Sequence, residues 1–358
     1  MARPAALAGD AVRLTPIPTS ARRVVLPGLV EPDGLILETG PLDVPGPGQL
    51  LLAVEATGIS YAEQAMRRGR YFGQPKFPFV PGYDLVGTVL QVGPKVDASL
   101  IGARVATLTK TGGWATHAVV EARDSVLVPA GVDPADAETV VVNGVTAWQM
   151  LHRAARVQPG QTILVHGANG GVGGILIQLG QHAGIRVIGA ASPRHHDALR
   201  AAGVEPVDYN DPNLADRVRE LSPRGVDAVF DNIGGPMTRV SYGLPAPRGA
   251  LVCYAIIAGV GDTGGLVLPF VKALSRVLLW NALPNGHRAT FYDLWAGHRT
   301  RPARFRERLE EDLGHVFALL ADGTLKPNIA ARYPLEEVAA ALTFAESRTV
   351  NGKVILLP

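Results

Sequence analysis

The chain has 358 residues, enough to bury two independent cores, and its 34 Lys and Arg against 32 Asp and Glu leave a net charge of +2. The balance, and the lack of any long run of one sign, argue against nucleic acid or a membrane surface as partner and leave a small molecule as the expected one. A single cysteine, Cys253, excludes an internal disulfide and any multi-cysteine metal site, and fits a reducing, cytoplasmic setting. Residues 1–20 carry no apolar core and read as a flexible tail, and no apolar run reaches membrane-spanning length.

From residue 23 to about 128 short β-like runs are punctuated by Gly and Pro: VVL at 24–26, LILE at 35–38, LLLAVEATGI at 50–59, LVGTVLQVG at 85–93, ARVATL at 103–108 and ATHAVVE at 115–121. That pattern predicts a small β-barrel. SYAEQAMRRG at 60–69 has helical spacing, and RYFGQPKFPFVPGYD after it is an aromatic, proline-rich loop beside the barrel mouth.

From residue 134 the pattern alternates. Residues 136–153 read as helices around Asn143 to Thr146, and QTILVHGANGGVGGILIQ at 161–178 reads as strand, glycine turn and helix. Further strands are predicted at 185–190, 206–209, 226–231 and 250–255, with helices over 194–202, 214–221 and 302–322. The tail has strands at 325–330 and 353–357 around a helix at 335–346. Alternation at this spacing predicts an α/β domain with a parallel sheet covered on both faces. In the turn, Gly167, Gly170, Gly171 and Gly173 let the backbone bend sharply and approach a pyrophosphate at a helix N-terminus. Sheets of this kind that prefer NAD end the second strand in an acid, which takes the ribose hydroxyls. Here it ends GAASPR, so Ser192 and Arg194 are placed to grip a 2′-phosphate and NADPH is expected; the alternative for Arg194 is an exposed helix-start charge.

Seven segments, ATGISYAEQAMRRGRY (56–71), FPFVPGYDLVGTVLQVG (77–93), GGWATHAVV (112–120), NGVTAWQML (143–151), HGANGGVGG (166–174), VFDNIGG (229–235) and RTVNGKVIL (348–356), occur in the order and spacing of one family. In them the chain resembles the zinc-independent, zeta-crystallin-like quinone oxidoreductase and enoyl reductase branch of the medium-chain dehydrogenase/reductases. The resemblance implies a GroES-like barrel formed by both chain ends (21–133 and 323–358), an inserted Rossmann domain (134–322) and NADPH between them. It extends the cofactor site to Asn169 and Val172 of the turn, to Tyr209, and to Thr146, Asn232, Tyr254 and Ala255 beside the nicotinamide. Asn351 and Lys353 match a motif reaching back to the cofactor. Thr146 has a helix cap as its alternative role.

Ser60 replaces the catalytic cysteine of zinc-dependent relatives, and Tyr83-Asp84 replaces their His-Glu, so no metal ligand set is expected. Asp84 reads as a structural carboxylate. Tyr71 matches a tyrosine that some enoyl reductases use as donor to the substrate oxygen, its other reading being loop packing; Tyr61 is expected to line the same site. Without a Lewis acid, hydride transfer to an activated C=C bond or a quinone is the chemistry within reach. The expected partners are a small electrophile and a second copy of the chain, with 266–296 roofing the pocket or, through a strand at 266–269, forming the dimer contact. Two other readings stand: a dedicated natural-product tailoring enzyme on the same scaffold, including non-redox cyclisation, and a non-catalytic NADPH-binding protein.

Overall fold

The computed structural model describes residues 17–255, 267–284, 286–347 and 349–358. Residues 1–16 of the expected tail lie outside them.

The described chain begins with an antiparallel pair, β1 (Ser20–Val25) and β2 (Ile36–Pro41). In β3 (Gln49–Ile59) the run Leu50-Leu51-Leu52 is buried on both faces, as in a central strand, and both its edges are paired. β4 (Asp84–Val92) covers one edge. Along the other, β6 (His117–Glu121) takes the first half and β15 (Lys353–Leu357) the last. With β5 (Arg104–Leu108), β7 (Ser125–Leu127) and β14 (Ile329–Pro334), the order is β14-β15-β3-β4-β5-β7. The barrel is therefore built from both ends of the chain. Between β3 and β4 lies α1 (Tyr61–Arg67), started by a capping box in which Ser60 accepts from Ala62 N–H and Glu63 reaches back to Ser60 N–H.

α2 (Pro134–Trp148) opens the second domain, with Pro134 in its first turn and the Asp133 carboxylate accepting from the amides of Ala135 and Asp136. The expected break at Asn143 to Thr146 is absent; the helix runs through and continues as a π-helical stretch over Gln149–Ala155. Gly144 serves packing instead. A Cβ there would stand 2.7 Å from Val316 on α8 (Pro302–Ala321), so its absence lets the two helices close together. Asp312 of α8, fully buried, is satisfied by Gln149 Nε2 at 2.7 Å and Arg153 Nε at 2.8 Å.

Six parallel strands follow in the order β10-β9-β8-β11-β12-β13: β8 (Thr162–His166), β9 (Arg186–Ala191), β10 (Glu205–Asp208), β11 (Val226–Asp231), β12 (Pro245–Cys253) and β13 (Arg288–Phe291). α3 (Gly171–His182), α4 (His196–Ala201), α5 (Leu214–Leu221), α6 (Met237–Tyr242) and α7 (Val267–Asn281) connect or cover them, and α9 (Val338–Glu346) returns the chain to the barrel. One core cluster crosses the joint, bringing Met66, Tyr83, Val86 and Leu108 of the barrel together with residues of α2, α3 and α8.

Two further expectations change, and three elements went unpredicted. Val267 to Pro269 open α7 rather than form a strand, and Leu266 lies outside the described residues. β14 starts at Ile329, not 325, because Leu325 is buried at the foot of α8, its N–H bonded to Leu319 O. β13, α6 and β7 are short elements whose patterns gave no signal.

Candidate active site

β8 ends at the fully buried His166 and hands the chain to Gly167, whose φ of +64° is left-handed. A Cβ on Gly167 would stand 2.5 Å from Asn232 Nδ2, one on Gly171 2.5 Å from Asn143 Nδ2, and one on Gly173 2.2 Å from Gly167 O. The bare turn is thus folded between the end of β11 and the face of α2, and Gly170 starts α3 with its first amides unsatisfied by the helix. Val172 packs half-buried on the core. The C-terminal segment lies across the turn: Asn169 Nδ2 donates to Val350 O at 3.2 Å, Gly352 N–H to Asn169 O at 3.2 Å, and Gly170 pairs with Gly352. Asn351 is exposed there, its carbonyl accepting from Asn328 Nδ2.

The ends of β9 and β10 bring Ser192, Arg194 and Tyr209 together. Arg194 is exposed and its Nε donates to Ser192 Oγ at 3.2 Å; Tyr209 N–H donates to Ala191 O. No acid occurs from 186 to 196. At the ends of β11 and β12, Asn232 Oδ1 and Tyr254 Oη are buried polar atoms with no hydrogen-bond partner among the described residues, the state a bound polar group relieves. Ala255 is half-buried beside Tyr254, and Ile256 lies outside the described residues. Thr146 sits inside α2, not at its cap, and its hydroxyl bonds Tyr292, whose Oη also donates to Gln149 Oε1 at 2.9 Å. The bare turn, the acid-free strand end and the two orphaned atoms together fit a phosphorylated dinucleotide.

On the barrel side, the two positions that carry zinc ligands in zinc-dependent relatives are joined by a carboxylate. Glu63 accepts from Ser60 N–H at 2.8 Å, from the Ser60 hydroxyl, and from Tyr83 N–H at 2.6 Å. Burial, partly offset by the Ser60 hydroxyl, raises its pKa. Tyr83 Oη lies 2.9 Å from Tyr71 Oη and accepts from Trp295 Nε1. The three rings meet edge to face, and Lys110 Nζ stands 5.6 Å above the Tyr71 ring. Burial pushes the Tyr71 phenol up to about 12 against a lowering hydrogen bond from Tyr83. Tyr71 therefore keeps its proton at neutral pH. Tyr61 stands beside Arg68 and Arg70, whose charges work against the burial that raises its pKa. Tyr71, Val172, Tyr254, Tyr292 and Trp295 all pack against the core cluster that crosses the joint, so the phenol and the glycine turn rest on one core.

Lys353 is engaged elsewhere. It is 3% exposed, and its Nζ lies 2.8 Å from both Asp84 Oδ2 and Glu138 Oε1. Burial opposes its charge, but the two carboxylates outweigh it and hold its pKa above the usual value. Burial, with the nearby Asp84 adding to it, raises Glu138 well above the usual range, against the lowering charge of Lys353. Asp84 also accepts from Val142 N–H at 3.0 Å, the structural part expected of it.

Asn143, Tyr83, Trp295 and Glu138 were not among the expected site residues. Lys353 did carry a signal, a single charge opening the apolar run KVILL. Among the described residues no group of three or more His, Cys, Asp or Glu side chains is placed to hold a metal. His166 instead pairs with Ser241 Oγ, and burial lowers its pKa.

A barrel closed against a parallel sheet, with a glycine turn and a buried phenol facing the joint, defines a two-domain oxidoreductase. Residues 46–131 match the family model of the alcohol dehydrogenase GroES-like domain, and residues 203–356 that of zinc-binding dehydrogenases. The human synaptic vesicle membrane protein VAT-1 homolog is 32% identical over 348 residues, covering 94% of this chain and 86% of that protein. A solved mycobacterial quinone oxidoreductase is 29% identical with a TM-score of 0.79, covering 94% of this chain and 100% of that one. A mycobacterial protein solved in complex with NADPH is also 29% identical, with a TM-score of 0.81 over 94% and 100% of the two chains. The chain belongs to the medium-chain dehydrogenase/reductase family, on its quinone oxidoreductase branch.

Proposed function

We propose that this protein is an NADPH-dependent, metal-independent reductase of an activated carbon–carbon double bond, in an enone, enal or enoyl thioester, or of a quinone. The observation that carries this reading is the placement of a protonated phenol, Tyr71, on the same core as a glycine turn that tolerates no side chain.

NADPH held there would supply the hydride for the β-carbon of an enone, the double-bond pair shifting toward the carbonyl oxygen and the α-carbon being protonated from water. The chain's own residues hold and orient. Amides of residues 167–173 and the N-terminus of α3 take the pyrophosphate. Ser192, Arg194 and Tyr209 take the 2′-phosphate, Asn232 and Tyr254 offer their unpartnered atoms to the nicotinamide end, and Asn351 closes over the turn. Tyr71 O–H meets the oxygen on which charge develops, and Thr146, Tyr61 and Ala255 line the approach. Lys353 contributes indirectly, by fixing the barrel against α2.

The mycobacterial relative in complex with NADPH supports the cofactor. Val271, Leu274, Leu278 and Leu279 leave α7 with an exposed apolar face beside the edge strand β13, which supports a homodimer. No described helix is long and apolar enough to cross a membrane, and a cytoplasmic site of action fits the chemistry.

The test is anaerobic NADPH oxidation against quinones, enones and enoyl thioesters, with product masses. A product heavier by two hydrogens is expected. Failure to bind NADPH overturns the reading.

A further inference from the structure

The hydrogen bonds around Tyr83 have a direction. An indole N–H only donates, so in the bond between Trp295 Nε1 and Tyr83 Oη the phenol oxygen accepts. Tyr83 has one proton, and its other hydroxyl partner is Tyr71 Oη at 2.9 Å. If Tyr71 donated across that gap, Tyr83 Oη would accept twice and its own proton, in a buried site, would lack a partner. The arrangement that satisfies every group runs one way: indole to Tyr83, Tyr83 to Tyr71, and the Tyr71 proton outward. Tyr71 Oη has no further partner among the described residues.

Each member is held. Trp295 stacks on Phe305 at 6.0 Å, with His298 edge-on to both rings. The Tyr83 backbone is fixed at both ends, its N–H by Glu63 and its carbonyl by the amides of Thr109 and Lys110. The donor comes from the loop after β13 and the acceptors from the barrel, so the chain of bonds is complete only when the two domains are closed on each other.

We propose that Tyr83 and Trp295 are positioning residues that turn the Tyr71 proton toward the acceptor's carbonyl oxygen and polarise it for that bond. The proposal rests on the reductase reading and assigns to it residues on both sides of the joint. It also narrows the acceptor. The reduced group must present a bare oxygen lone pair at Tyr71, as an enone, enal, thioester or quinone does, whereas an alcohol presented by its hydroxyl proton meets a donor and is rejected. The bond from Tyr83 favours the ionised form of Tyr71, the sense in which it lowers that phenol's pKa.

Steady-state kinetics with NADPH and cyclohex-2-enone or 1,4-benzoquinone, whichever the unmodified chain reduces faster, tests the role. Tyr83→Phe and Trp295→Phe are each expected to lower kcat about tenfold, the worth of one polarising hydrogen bond, with KM for NADPH unchanged. In a Tyr71→Phe background neither should lower kcat further. Losses that add in full to that of Tyr71→Phe would make both residues merely structural and overturn the proposal, as would an unchanged kcat in Tyr83→Phe. Neutron diffraction of deuterated crystals tests the direction without turnover: the deuteron between the two phenols should belong to Tyr83, and one on Tyr71 overturns the proposal alone. No reduction of any acceptor by the unmodified chain would instead count against the reductase reading.

Discussion

The ammonium of Lys353, on the last strand of the barrel, lies 2.8 Å from Oε1 of Glu138, on the first helix of the nucleotide domain. Both residues are buried, and Asp84 completes the group. Lys353→Met leaves two carboxylates without their cation and is expected to cost about 3–5 kcal/mol in denaturant unfolding. Its folded fraction should bind NADPH as the unmodified chain does; a selective loss of binding would return Lys353 to the cofactor site.

Glu138 and Glu63 make stability depend on pH. Burial raises both pKa values, with Asp84 adding to the rise at each. Unfolded, they lose their protons near the ordinary glutamate value; folded, they keep them to higher pH. The native state then binds more protons, so this stabilisation is complete below the unfolded pKa and is lost as pH rises through the folded one. Unfolding free energy should fall by about 1.4 kcal/mol per pH unit for each proton retained. Glu138→Gln should flatten that slope, and an unchanged slope would remove Glu138 as its source.

Gly173 admits no methyl group, since the position is 2.2 Å from the Gly167 carbonyl and 3.0 Å from Ala168 Cα, both backbone atoms. In Gly173→Ala the turn has to move. A stability loss of about 1–3 kcal/mol is expected. Titration by nucleotide fluorescence should show NADPH affinity reduced at least about tenfold.

Much of this was legible because it rests on local pattern. β8, the glycine turn and α3 form a unit whose strand is mostly apolar and whose glycines have a steric reason, and the long apolar β3 announced a buried strand. What escaped was set by tertiary contact. The close approach of α2 to α8 at Gly144 depends on Val316 of a distant helix, and among the described residues the four-residue β13 pairs only with β12. Lys353 matched a motif, but its fate was fixed by Glu138, more than half the chain away in sequence. Trp295 lay in the stretch 266–296, read as a whole as pocket roof or dimer contact; only the fold reveals that its N–H meets Tyr83.

Arg194 should set cofactor preference. It is exposed beside Ser192 at an acid-free strand end. Arg194→Ala is expected to weaken NADPH binding about 10- to 100-fold, the range for losing charge-assisted bonds, with little change for NADH. Isothermal titration of both nucleotides checks this; equal losses would assign the 2′-phosphate elsewhere.

Ile59 pairs with Val354, so the barrel's central strand completes its edge with residues that follow the whole nucleotide domain in the chain. During synthesis on the ribosome, β3 and β4 emerge early and wait, with half an edge unsatisfied, while the whole nucleotide domain is translated and folds between them and their partner. Of these two domains, the one begun earlier is finished later. Its assembly waits on the arrival of β15, and a nascent chain stalled in between presents an open strand edge.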